Sequence, residues 1–178
     1  SFILSQREDA AALDEAVKHS RELIDSASGW PIHVAQAHEN LARIKLARKE
    51  SAIADAATAC QLLEPSPNYL PTVHATRIRA YLAQNDVAQA VLAAQAGLSI
   101  IEQFGCVGHA EVELRLWVSE AFFASQDLES ARAELRETLR QIRLREADIT
   151  DAGCREKYLQ APPQAQAVKL AQKLDLSA

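Results

Sequence analysis

Leu82–Gly97, LAQNDVAQAVLAAQAG, decides the fold. Ala and Leu carry a helix up to Ala83, Asn85–Asp86 interrupts it, and a second apolar-periodic run opens at once. Asp86 is placed to cap that second helix, with Gln89 three residues on as the other half of a capping box. The same shape recurs at 46–61 (LARKESAIADAATACQ) and 123–138 (FASQDLESARAELRET). In each, an acidic residue (Glu50, Asp86, Asp127) stands four places before an alanine (Ala54, Ala90, Ala131), and a leucine (Leu62, Leu98, Leu139) follows eight places later. A helix–turn–helix unit that repeats is the main content of the chain, and such units stack because one alone cannot bury its apolar face.

Outward from this stretch, breakers cluster at Gly29–Trp30–Pro31, Pro65–Ser66–Pro67, Pro71, Gly105 to Gly108, Gly153 and Pro162–Pro163. Good helix formers fill the intervals and no period-2 runs of β-branched residues occur, so the chain is expected to be all-α. The expected helices cover 7–27, 32–48, 50–64, 72–84, 87–103, 109–125 and 127–147. Residues 151–160 and 164–174 then form a capping segment within 150–178 that matches no repeat. Gly97 sits inside a helix, where glycine costs about 1 kcal/mol relative to alanine; a second helix crossing closely there would explain it. Trp30, between Gly29 and Pro31, is expected to pack locally against its turn, with exposure at an edge as the alternative.

Composition narrows the function classes. At 178 residues the chain holds one domain with a substantial core. Its net charge of −5 argues against general nucleic-acid binding. No apolar run is expected to approach the roughly 18–20 residues that would span a bilayer, and residues 1–9, SFILSQRED, lack the pattern of a secretory leader. With no Met anywhere, the chain reads as a piece of a longer polypeptide. Cys60, Cys106 and Cys154 are distant from one another, which fits free thiols in a reducing, cytoplasmic compartment and no zinc site. Nucleotide-loop, dinucleotide, zincin and serine-elbow motifs are absent, so neither catalytic residue, cofactor nor metal is assigned.

Aligning Ala16, Ala54, Ala90 and Ala131 gives steps of 38, 36 and 41 residues, with Lys45, Tyr81 and Phe122 nine places before the last three. On these residues the chain resembles degenerate tetratricopeptide repeats. His38, His74 and Arg115 stand where that family carries its Trp. The resemblance implies a right-handed α-solenoid of antiparallel helix pairs, about seven repeat helices plus a C-terminal cap. The first helix of each pair, helix A, would build a concave inner wall from Gln36, Glu39, Asn40, Arg43, Thr72, Thr76, Arg79, Glu113, Leu116, Trp117 and Glu120. Of these Asn40, Arg43, Arg79, Glu39, Glu120 and Trp117 are the candidate peptide-binding residues. Asn can bond a peptide backbone through both ends of its amide, and Arg can hold a carboxylate with two parallel bonds. Charge reversal at Arg43 and Arg79 is accordingly expected to weaken partner binding without loss of helicity.

Residues 114–172 also resemble the C-terminal end of large bacterial signalling proteins, in which a serine/threonine kinase or other output domain precedes an AAA-type ATPase module and a tetratricopeptide array. The features that carry this are Leu144 to Ile149, Arg155–Glu156–Lys157–Tyr158–Leu159 and Pro162 to Ala171. The resemblance implies a non-catalytic module that binds a protein or peptide, including other domains of its own polypeptide, in bacterial signal transduction. No nucleic-acid or membrane partner is expected, and the repeat ends leave room for a homodimer. The alternative is a sensor or effector-binding domain of a bacterial transcriptional regulator.

Overall fold

The computed structural model describes residues 10–27, 29–105, 108 and 110–176. Among these the chain is all-helical, with nine α-helices and no strand. They are α1 (Ala10–Ser26), α2 (Pro31–Ala47), α3 (Ile53–Leu63), α4 (Leu70–Ala83), α5 (Val87–Phe104), α6 (Ala110–Ala124), α7 (Leu128–Asp148), α8 (Ala152–Gln160) and α9 (Pro162–Lys173), with a 3-10 turn at Pro67–Tyr69 before α4. Proline opens α2 and α9 and lies in the first turn of α4, where its missing N–H has no helical partner to lose. The Asp86, Asp127 and Asp151 carboxylates accept from the backbone N–H of Gln89, Ser130 and Cys154 and so cap α5, α7 and α8.

Each helix from α1 to α7 packs on the next, and α2, α4 and α6 also pack on one another in order. Short connections between packed neighbours make the pairs α2–α3, α4–α5 and α6–α7 antiparallel hairpins. One corner closes α2, α4, α6 and α9 alike. A residue with positive φ (Lys49, Asn85, Gln126, Asp175) lets the next N–H return to the carbonyl five residues back: Glu50 to Lys45, Asp86 to Tyr81, Asp127 to Phe122 and Leu176 to Ala171. None of the four is glycine, so each corner stores strain of about 1 kcal/mol, least at Asn85 and Asp175, whose short polar side chains tolerate this conformation.

This corner puts Lys45, Tyr81, Phe122 and Ala171 in register and corrects two expectations. First, α9 was expected to match no repeat. It packs on α6 and α7 as α6 packs on α4 and α5, and ends in the same turn. Only Val168 departs from its expected inward set, being 44 % exposed. Second, Glu50 does not start α3. Two further residues follow it, α3 begins at Ile53 behind an uncapped Ala52, and Ala54 lies exposed. The fully buried small residue is Ala56, 34 positions before Ala90. The alignment of Glu50 and Ala54 with their counterparts was coincidental, because the extra residues turn α3 by two positions relative to α5.

Ala16, Ala56, Ala90 and Ala131 are all without solvent exposure and let adjacent helices approach. Gly97 does the same more tightly: a Cβ there would lie 2.8 Å from Leu114 Cδ1 on α6 and 3.4 Å from His74 Cβ on α4. The principal apolar cluster runs through α4, α5, α6, α7 and α9 around Ile78, Leu114, Leu116, Leu135 and Leu170, with smaller clusters among α1, α2, α3 and α4. Against the expectation that no apolar run approaches membrane-spanning length, α5 is long and apolar enough to cross a membrane by length and composition; here it packs between α4 and α6. Trp30 is 69 % exposed, so the expectation of local packing fails: it stands at the N-terminus of α2 with the His33 ring beside it, 6.1 Å between centroids.

Candidate functional site

Residues of α2, α4, α6 and α9 together form an open groove of about 500 Å³. It is lined by Leu46, Arg79, Leu82, Ala83, Trp117, Glu120, Phe123, Ala124, Gln166 and Lys173. These residues fall into the register of the shared corner. Leu46, Leu82 and Phe123 are equivalent, as are Ala83, Ala124 and Lys173, Arg79 and Glu120, and Trp117 and Gln166. One face of the first helix in each pair is thus used repeatedly, at one level. Leu46, Leu82 and Phe123 make apolar rungs across three adjacent helices, and the two alanines keep the floor between them low.

An ion network backs one side of the groove. The Glu39 carboxylate accepts from Arg43 Nε at 2.8 Å and from the Thr76 hydroxyl at 3.3 Å. Arg43 also donates to Glu113 at 3.0 Å, and Arg79 lies 3.6 Å from the other Glu113 oxygen. The Arg79 guanidinium sits 4.9 Å over the Trp117 ring, a cation–π contact. Burial works against the Arg43 charge, yet Glu113 and Glu39 outweigh it and its pKa is raised. Burial dominates at Arg79, whose pKa is lowered despite Glu113. Farther along, Glu120 accepts from the Gln166 amide at 2.5 Å, which ties α6 to α9.

The six residues expected on the inner wall divide. Arg79, Trp117 and Glu120 line the groove. Arg43 and Glu39 lie behind it, their side chains only 10 % and 13 % exposed and turned to each other. Arg43 therefore meets internal carboxylates where a ligand carboxylate was expected. Charge reversal there would set three carboxylates together, so the expectation of unaltered helicity is withdrawn. Asn40 is buried within α2, and Thr76 and Leu116 have no solvent exposure at all. The rungs Leu46, Leu82 and Phe123 were missed, although their steps of 36 and 41 residues equal those of Lys45, Tyr81 and Phe122 beside them. All three are half-buried at the edge of the core clusters, and a large apolar residue recurring at three equivalent places was the available signal.

His38, His74 and Arg115 share a second register position, and each reaches the following helix. His38 Nδ1 lies 2.9 Å from Asp55 on α3, and Arg115 donates to Glu134 on α7 at 2.7 Å. Asp55 also accepts from Lys45 Nζ at 2.6 Å; burial alone would raise its pKa, but the bonds from Lys45 and His38 hold it below the usual carboxylate range. The His74 ring bonds the Ala93 backbone on α5, leaving buried Nδ1 without a partner among the described residues. Burial first, then the nearby Arg77 charge, pushes its pKa down to about 4. These polar pairs tie the helices of each hairpin together.

No family model, curated protein or solved structure matches the chain. Chemistry must therefore be read from the groove alone. Its lining has no Ser, Thr, Cys or His, and among the described residues no three His, Cys, Asp or Glu side chains converge as a metal site. Cys60 is buried beside Arg77, and burial raises its pKa above the ordinary thiol value; Cys154 is exposed, and Cys106 lies outside the described residues. What the groove offers is shape, apolar surface and a few fixed charges, the means of binding.

Proposed function

We propose that this chain is a non-catalytic module that binds a protein or peptide segment in the groove of α2, α4, α6 and α9, on a right-handed tetratricopeptide-like solenoid. The observation that carries the reading is the repeated use of one register. Equivalent positions on successive helices supply the rungs, the alanine floor and the polar positions of one continuous groove. Leu46, Leu82 and Phe123 are half-buried against the core clusters, and the apolar surface each leaves uncovered faces the groove in step. The shared corners, the buried alanines and the 34-residue step from Ala56 to Ala90 support the solenoid reading. Placement at the regulatory end of a bacterial signalling protein draws on the resemblance of residues 114–172; a partner seated in the groove would there bias how neighbouring domains sit.

The test is site-specific photocrosslinking in cells, with the crosslinker at Ala83 or Ala124 in the groove or at Ala88 or Ala96 on the outer face of α5. The same adduct from both groove positions, lost in the Leu82→Asp variant, is expected. Adducts from the outer positions alone would remove the groove assignment.

A further inference from the structure

Antiparallel hairpins send every turn of the chain to one of two edges. At one edge lie the shared corners, with Lys49, Asn85 and Gln126 at their tips and no exposed large apolar side chain among them. The opposite edge holds the connections that lead from one hairpin to the next: α1 to α2, α3 to α4 and α5 to α6. Among the described residues the exposed Trp, Tyr and Phe side chains are Trp30, Tyr69 and Phe104. Each falls on a different one of those connections: Trp30 precedes α2, Tyr69 precedes α4 and Phe104 ends α5. Rings that are exposed singly need no explanation, but these all stand at one edge, one to a step.

Charge is distributed in the same pattern. Residues 25–34, 64–73 and 102–111 each open with a carboxylate (Asp25, Glu64, Glu102), contain one of the three rings and hold no Lys or Arg. The three carboxylates are exposed and make no hydrogen bond or ion pair among the described residues. They do not serve the helices: each stands at the C-terminal end of its own helix, where the dipole disfavours an anion, and none caps α2 or α4. Arg145 of α7 reaches the third connection, where it donates to the Gly108 carbonyl, so the first two are the more acidic.

A ring face and a free carboxylate are together what holds a Lys or Arg head, the ring through its quadrupole and the carboxylate by ion pairing. A purely apolar partner has no use for the carboxylates, and an anionic membrane or a nucleic acid is repelled by them. We propose that this edge docks a basic segment of a partner polypeptide, with Lys or Arg heads on Trp30 and Tyr69 paired to Asp25 and Glu64, and Phe104 and Glu102 extending the row. α2 packs on α4 and α4 on α6, so the steps are about 8–10 Å and the row spans about 16–20 Å. It lies at the other end of these helices from Leu46, Leu82 and Phe123, and is separate from the groove.

The probes are fluorescein-labelled (Arg-Ala-Ala)4, which places a cation about every 10 Å when extended, and (Glu-Ala-Ala)4. Anisotropy titration of the full chain should show binding of the first and not the second. Trp30→Ser/Tyr69→Ser, which leaves every charge in place, should bind the basic peptide about 10-fold more weakly. Asp25→Asn/Glu64→Gln should weaken it likewise, whereas Glu129→Gln/Glu156→Gln, the same change in net charge elsewhere, should leave it unchanged. Equal affinity in the Ser variant, equal weakening by both carboxylate pairs, or no binding at all overturns the proposal. Loss of binding in Leu82→Asp would place the peptide in the groove and overturn it too. Sedimentation with phosphatidylcholine vesicles that is lost in the Ser variant, without peptide binding, would replace the basic segment by a lipid surface.

Discussion

Replacing Gly97 by alanine sets two known effects against each other at one atom. Helix propensity favours alanine by about 1 kcal/mol. The added methyl, however, would sit 2.8 Å from Leu114 Cδ1 and 3.4 Å from His74 Cβ. Leu114 has no solvent exposure and cannot swing outward. Overpacking of this kind costs about 1–3 kcal/mol, so Gly97→Ala should be destabilised by about 1 kcal/mol net, not stabilised. Leu114→Ala alone opens a cavity and should cost about 2–5 kcal/mol. In the double variant the new methyl has room, and the propensity gain emerges. The coupling between the two sites should therefore be favourable by at least about 1 kcal/mol, where independent sites would add to within about 0.5 kcal/mol. Urea unfolding of the four proteins, with constant slope as the control for two-state behaviour, measures all of these. Stabilisation by Gly97→Ala together with negligible coupling would refute the close approach of α5 to α6 and with it the packing of successive hairpins.

Further outcomes follow from the same geometry. Ala56→Leu should destabilise by about 1–3 kcal/mol because no space exists at that crossing, whereas Ala54→Leu on the exposed side should change the urea midpoint little. Arg43→Met leaves Glu39 and Glu113 facing each other without their shared cation and should cost about 3–5 kcal/mol, seen as a lower thermal midpoint by circular dichroism. His74 binds its proton at about pH 4 when folded and at about 6.5 when unfolded. The unfolded state thus takes up more protons between those values: the stability contribution is complete above about pH 6.5 and is lost as pH falls toward 4. The drop should reach about 3 kcal/mol. Comparison with His74→Gln, which keeps a donor for the Ala93 backbone, isolates that drop by chemical denaturation at pH 7.5 and 4.5.

Helix positions were legible because local chemistry sets them. Pro31 and the capping Asp86 and Asp127 act within a few residues of themselves, whereas Pro162–Pro163, expected as a stop before a helix at Gln164, opens α9. The start of α3 was not legible, since Glu50 looks like Asp86 and Asp127 in composition. Only the backbone shows that its N–H is committed to Lys45 and that Ser51 and Ala52 are extra. Arg79, Trp117 and Glu120 were placed together on one wall through the resemblance to tetratricopeptide repeats, and all three line the groove. The fate of Arg43 could not, because its second partner, Glu113, lies 70 residues away. A sequence in which every helix carries Arg and Glu does not say which of them meet across helices. Trp30 illustrates the reverse error: aromatic burial is a rule about averages, and this ring, between Gly29 and Pro31, stays 69 % exposed.

The most direct measurement is the map of backbone amide shifts in the isotope-labelled chain on titration with a peptide selected on the chain by phage display. The account predicts changes concentrated at Leu46, Leu82, Ala83, Trp117, Phe123 and Ala124, across three helices at one level. Changes confined to the outer face of α5, at Leu92 and Ala96, with the groove silent, would contradict it.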